Sequence, residues 1–223
     1  MLYIHHHLGL GDHICLNGLV RQYAKKNNVI LFCKQHNLDC LTFMYRDIDI
    51  ELLVVPEWSN KDEITIVNRL AGDNLLRIGF DNISEIKKAN PLKGCDEWFY
   101  MQCGVDYSVR FDGFYIERDY SEEERVYKKL NPTNGDYVFV HDDKFRGYQI
   151  HVDGNVIGND PSENLFYMGL TIERATEVHL MESSLRCYAE HLSPAGTLFY
   201  HDIRESSMCK NSTRKKWYIC KDY

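Results

Sequence analysis

Short, continuous apolar runs alternate with stretches whose apolar residues recur at helical spacing, and this alternation most narrows the folds open to the chain. Asn28 to Cys33 (NVILFC) and Ile50 to Val55 (IELLVV) lack the in-out alternation of a half-exposed strand. They read as strands covered on both faces, as in a parallel sheet flanked by helices. Ile14 to Lys25 reads as a helix with one buried face (Leu16, Leu19, Val20, Tyr23), and Leu38 to Tyr45 and Ile64 to Leu70 also read as helices. Asn74 to Phe80 reads as a further strand, giving β-α-β-α-β-α-β and a mainly parallel α/β sheet in the first part of the chain.

Pro91 to Asp96 carries turn residues and Glu97 to Cys103 an aromatic-rich helix, while Val109 to Ile116 reads as irregular or as an edge strand. Tyr120 to Leu130 has a helix-start signature, with Ser121 as cap, acids in the first turn and lysines in the last. A boundary near Arg118 divides the chain into residues 1–117 and 118–223, each of a size that can fold as a small domain. In the second half Tyr137 to His141 (YVFVH), Glu177 to Met181 and Thr197 to Tyr200 read as strands and Asn164 to Ala175 as a helix. Leu185, Tyr188, Ala189 and Leu192 mark a second helix, and the tail from Lys210 to Lys221 is basic around an apolar centre, Trp217 to Ile219.

The 26 basic and 33 acidic residues leave a charge of −7, which argues against a nucleic-acid or anionic-membrane binder. No run approaches the roughly 18 apolar residues of a membrane span, so no integral membrane segment is expected. The N-terminus shows no secretion signal, and the eight cysteines (15, 33, 40, 95, 103, 187, 209, 220) form no CxxC pair. Reduced core thiols in a cytoplasmic protein are therefore expected, rather than disulfides or zinc ligands. On a strand at most His5 and His7 of the run His5-His6-His7 could share a ligand, and without an acid or Cys cluster at ligand spacing no metal is expected.

The opening stretch, MLYIHHHLGLGDHICLNGLVRQYAKK, is the first half of a βαβ unit. Gly9 and Gly11 allow a sharp turn that brings bare N–H groups near a ligand, and Asp12 stands at the start of the helix. Asp12 reads in two ways: as a helix cap, or as a catalytic base at the mouth of a crevice where ligands of open α/β sheets collect. The turn lacks a third glycine, so a dinucleotide fingerprint is incomplete.

Two strand-end loops of the second half carry anion-binding chemistry. After His141 the chain runs Asp142-Asp143-Lys144-Phe145-Arg146-Gly147-Tyr148. Lys144 and Arg146 read either as diphosphate ligands or as a solvated loop. After Met181, Glu182-Ser183-Ser184 opens a helix, and the two hydroxyls read either as anion ligands beside free N–H groups or as an ordinary cap.

Together the two halves resemble glycosyltransferases of the GT-B fold, in which two small Rossmann-like domains face each other across a cleft. LGLGDHICLNGLVR resembles the N-terminal motif of the lipopolysaccharide heptosyltransferase type, whose Gly-Asp turn carries the proposed base of an inverting transfer, here Asp12. YVFVHDDKFRGY is similar to the start of the donor domain in heptosyltransferase-like and fucosyltransferase-like enzymes, and EVHLMESSLRCYAEHL to their later nucleotide-binding turn. The resemblance implies an acceptor-side domain at 1–117 and a nucleotide-sugar-binding domain at 118–223. It puts Gly9, Gly11, His141, Lys144, Arg146, Glu182, Ser183 and Ser184 on the donor.

The expected activity is thus an inverting, metal-independent sugar transfer from a nucleotide-sugar co-substrate to a glycan or other hydroxyl acceptor, with no further cofactor. Asp12 would act as base, His13 (or one of His5 to His7) would orient the acceptor or Asp12, and Glu182 would meet ribose or sugar hydroxyls. The alternatives are a non-catalytic nucleotide- or sugar-binding α/β protein and a methyltransferase. Against the second, no acid ends the second strand to hold a ribose.

Overall fold

The computed structural model describes residues 1–56, 60–203 and 213–221, so Cys209 and the first residues of the basic tail (210–212) lie outside the described residues. The chain forms two compact units, with the division between Glu117 and Arg118.

In the first unit, β1 (Leu2–His5) leads through α1 (Leu10–Ala24) to β2 (Val29–Lys34), then through α2 (Leu38–Met44) to β3 (Ile50–Val55) and through α3 (Asn60–Ala71) to β4 (Leu75–Arg77). All pairings are parallel and the order is β3-β2-β1-β4, with Tyr3 of β1 beside Ile30 on one side and Leu75 on the other. Ile4, Leu31, Phe32 and Cys33 are fully buried, which is why the NVILFC run shows no alternation.

After β4 come α4 (Ile83–Ala89), α5 (Cys95–Gln102) and α6 (Val109–Asp112). These explain a departure from the one-faced first helix: every residue of α1 from His13 to Arg21 is buried, because α5 and α6 cover the side away from the sheet. The Tyr100 hydroxyl of α5 donates to the Cys15 carbonyl at 3.0 Å. A side chain at Gly18 would stand 2.2 Å from the Val109 carbonyl oxygen, so only glycine lets the α1 and α6 backbones come this close. Val109 to Ile116 is therefore a short helix and a loop, not an edge strand. Its apolar and polar residues alternate because buried Arg110 must meet Asp96 while Val109 packs on Gly18 and Gly113.

In the second unit, α7 (Tyr120–Leu130) is capped by Asp119, which accepts the N–H groups of Ser121 and Glu122 at 3.1 Å, so Ser121 lies inside the helix rather than capping it. Then follow β5 (Val138–His141), β6 (Val156–Gly158), α8 (Gly169–Glu173), β7 (Glu177–Met181), α9 (Ser184–Ala189), β8 (Thr197–His201) and β9 (Trp217–Cys220). The order is β6-β5-β7-β8-β9, again wholly parallel. In place of one helix over 164–175 there is a 3-10 turn at Leu165–Met168 and then α8, and α9 ends before Leu192. Arg118 ties the layers together: it donates to Glu123 of α7 at 2.7 Å and to Glu173 of α8 at 2.9 Å, while Glu123 also accepts the Leu170 N–H at 2.8 Å.

Both units are thus Rossmann-like α/β layers. In each sheet the strand order reverses once, between β1 and β4 and between β5 and β7. At such a point the two connections leave to opposite faces, and a crevice opens beyond the carboxyl ends of the strands. Among the described residues no helix is long and apolar enough to cross a membrane.

Candidate functional site

At the reversal point of the first sheet, β1 ends at His5 and the chain crosses to α1 through His6, His7, Leu8 and Gly9. Leu8 holds a left-handed backbone (φ 59°), unusual for a branched apolar residue, although it is almost fully buried. Two hydrogen bonds fix it. Its N–H donates to His6 Nδ1 at 3.1 Å, and its carbonyl accepts from the Asn37 amide at 3.0 Å. With Nδ1 accepting, His6 carries its proton on Nε2 and donates to His13 Nδ1 at 3.0 Å, so His13 carries its own on Nε2, a buried atom with no hydrogen-bond partner. Burial pushes the His6 pKa well below its ordinary value and that of His13 down to about 3. The pair is an uncharged peg between loop and helix.

Asp12 is the third residue of α1, after the N-cap Gly9, and is half-buried. Its carboxylate folds back toward the helix start: a Cβ at Gly9 would stand 2.7 Å from Asp12 Oδ2. Gly11 is the residue between, in the same first turn.

Beside this turn lies a polar chain that the sequence did not reveal. His5 Nε2 donates to Glu63 Oε1 at 2.8 Å, and the other Glu63 oxygen takes the Lys34 ammonium, which also donates to the Pro56 carbonyl at 3.3 Å. His5 stacks on Phe80 at 4.9 Å, and burial lowers its pKa against the opposing pull of Glu63. His7 is exposed; it donates from Nε2 to the Gly79 carbonyl at 3.2 Å and lies edge to face with Phe80 and Phe99. Gly79 has φ 88°, and a Cβ there would meet both His7 and Phe99 within 3 Å, so glycine is required. His7, Lys34, Glu63, Ile64 and Phe80 line a cavity of about 280 Å³. Lys34 ends a buried strand just as His141 does before its basic loop, and that position was the available signal. Glu63 contributes from 29 residues further on.

At the reversal point of the second sheet, His141 of β5 lies beside Leu180 of β7, so the 142–148 loop and the 182–184 turn leave adjacent strand ends. His141 Nδ1 and Asn159 Oδ1 are 2.6 Å apart, and burial lowers the histidine pKa. Asp142 accepts the Ile150 N–H at 3.1 Å, and Asp143 caps the 3-10 turn Lys144–Arg146, which Gly147 closes in a left-handed conformation. Both acids therefore hold the loop's shape. Arg146 lies 3.3 Å from Asp143 with its side chain mostly exposed, and Lys144 and Phe145 are exposed beside it. Ser183 caps α9, accepting the Arg186 N–H at 3.3 Å and donating to the Met181 carbonyl at 3.2 Å, while Ser184 begins the helix. Glu182 accepts from the Tyr200 hydroxyl at 3.0 Å, and the buried Arg186 guanidinium lies 4.4 Å over the Tyr200 ring.

The structure thus places Gly9, Gly11, Asp12 and His13 at the start of α1 in the first unit, and His141, Lys144, Arg146, Glu182, Ser183 and Ser184 at the adjacent ends of β5 and β7 in the second. His13 is fully buried with Nδ1 engaged, so it can orient only the loop and helix around it and does not reach an acceptor. Among the described residues no three His, Cys, Asp or Glu side chains gather as a metal cluster.

No family model and no curated protein matches the sequence. Among solved structures the chain is similar to the glycosyl transferase family 9 protein of Veillonella parvula DSM 2008, at 14% identity and a TM-score of 0.50, over 89% of this chain and 80% of that one. The likeness is one of fold.

Proposed function

We propose that this chain is a glycosyltransferase that moves a sugar from a nucleotide-sugar to a hydroxyl acceptor, with inversion and without a metal. The observation that carries the reading is the pairing of β5 with β7, which brings the Lys144/Arg146 loop and the Glu182-Ser183-Ser184 turn out at the one reversal point of their sheet. Nucleotides bind at such points in doubly wound folds, and the fold likeness supports the same class.

In this reading Arg146 exchanges its exposed contact with Asp143 for a diphosphate, Lys144 adds a second cation, and Ser184 adds a hydroxyl. Positive charge fixed beside the leaving diphosphate stabilises the charge that grows on it. Glu182 meets ribose or sugar hydroxyls. Asp12 takes the acceptor proton as the new bond forms, a contribution typically of about 10²–10⁴ in rate. The buried His6–His13 pair positions Asp12 by fixing the turn before it.

A second reading, binding without turnover, is favoured by one observation: the Asp12 carboxylate lies back over Gly9, as a purely structural acid would. Thermal unfolding with uridine, guanosine, adenosine and cytidine diphosphates in EDTA tests the donor site that both readings share. Saturating one ligand to 100 times its Kd should add about 2.7 kcal/mol. The proposal expects one diphosphate to stabilise wild type and to lose most of that effect in Arg146→Ala; stabilisation by none of them removes its support.

A further inference from the structure

The cavity in the first unit is a built site with a definite chemistry. Its polar groups are Lys34 and Glu63, both largely buried, and the exposed imidazole of His7, while Phe80 and Ile64 form apolar walls. Charge is balanced: the Lys34 ammonium is paired with the Glu63 carboxylate, and the nearby Arg77 with Asp81 at 3.6 Å. An anionic or cationic ligand would therefore enter without a counter-charge, a cost that a small half-enclosed site does not repay.

Hydrogen-bonding capacity is left over. Lys34 has three N–H groups, and two are engaged, by Glu63 and Pro56. Each Glu63 oxygen accepts one bond, from His5 or Lys34, and keeps a second lone pair. His7 donates from Nε2 to Gly79, which leaves Nδ1 as an acceptor. One donor, acceptors on two sides and two apolar walls complement a ring that carries hydroxyls around its edge and C–H groups on its faces. At about 280 Å³ the cavity sits near the small end of ligand sites.

From this complementarity we infer that the cavity binds one uncharged, polyhydroxylated ring, a neutral monosaccharide unit. The inference deepens the transferase reading by giving its acceptor side a substrate class. Its test uses no nucleotide, so it stands or fails apart from donor binding and turnover.

Ligand-observed saturation-transfer NMR at pH 8 would compare the methyl glycosides of glucose, galactose and mannose with glucuronate and glucose 6-phosphate. Wild type is expected to bind at least one neutral glycoside and to prefer it to both acids. Ile64→Trp, which fills the cavity from a half-buried position, should abolish the signal. Glu63→Gln removes the carboxylate and leaves Lys34 unbalanced. It should weaken the neutral glycoside by about ten- to a hundredfold, the usual size for a lost charged hydrogen-bond partner, and turn the preference toward the acids. Thermal unfolding identifies a variant that fails to fold, and His7→Ala, altered at the exposed rim, then replaces it with an expected loss of about tenfold. Absence of binding by every neutral glycoside, a wild-type preference for the acids, or unchanged binding in Ile64→Trp each overturns the inference.

Discussion

The imidazole of His6 donates to that of His13 across 3.0 Å, with both rings shielded from solvent. The Leu8 N–H fixes the direction of that bond, so a chain of two hydrogen bonds runs from the left-handed loop residue into the first turn of α1. A histidine run that invites a metal reading thus gives three separate results: His6 pegs the loop, His5 joins Glu63 and Lys34, and His7 faces a cavity.

Acid should destabilise the fold. Burial lowers the folded pKa of His5, His6, His13, His141 and His201, with His13 at about 3 and His201 at about 4. In the unfolded chain these groups titrate near 6.5. Stability is therefore complete above about pH 6.5 and falls as pH drops toward the folded values, because only the unfolded chain binds the protons. His13 and His201, whose folded values lie far below that window, each contribute a slope of up to about 1.4 kcal/mol per pH unit in it. Urea unfolding at pH 7.5, 6.5 and 5.5 reads the effect; equal midpoints at all three would contradict it.

Gly9→Ala separates the two roles of Asp12. The backbone at Gly9 has φ −68°, which alanine adopts freely, but its Cβ would displace the Asp12 carboxylate. A flexible side-chain end yields cheaply, so unfolding free energy should change by less than about 1 kcal/mol. Sugar transfer should fall at least tenfold, since a small misplacement of a reacting group is costly. Transfer rates alongside urea midpoints decide the matter.

Arg118→Met should strongly destabilise the second unit. Glu123 is fully buried and relies on Arg118 and the Leu170 N–H. Removing the cation leaves an uncompensated buried carboxylate, at a cost of about 3–5 kcal/mol. Denaturant titration followed by fluorescence measures this loss.

Arg146→Ala should leave stability within about 1 kcal/mol, because its pairing with Asp143 is exposed. Diphosphate affinity should drop by about ten- to a hundredfold. Urea unfolding without ligand reads the first number, and calorimetric titration with the stabilising diphosphate reads the second.

Local pattern revealed much of the architecture. The sealed strands NVILFC and YVFVH stood out because both faces are covered, and alternation with helices implied parallel sheets. Residues whose roles depend on distant partners did not stand out. The three-residue β6 buries only Ile157, and β9 is an edge strand with Tyr218 and Ile219 exposed, so neither shows a strand's pattern. The helix α1 begins at Leu10, a turn before its apolar periodicity, because Gly9 and Asp12 shape its start through backbone geometry rather than hydrophobicity. In the candidate sites, short-range chemistry marked Asp12, Arg146 and Ser183. The pairing of Lys34 with Glu63 spans 29 residues and arises only when β2 and α3 come together.

Transfer itself is decided by one assay: release of nucleoside diphosphate from a panel of nucleotide-sugars, with the methyl glycosides as acceptors, by wild type and Asp12→Asn. Wild type should release the diphosphate from at least one donor faster when a neutral glycoside is present, and Asp12→Asn should be slower by about 10²–10⁴ with donor binding retained. Release at the wild-type rate by Asp12→Asn, or no release from a donor that demonstrably binds, would contradict a glycosyltransferase that uses this aspartate as its base.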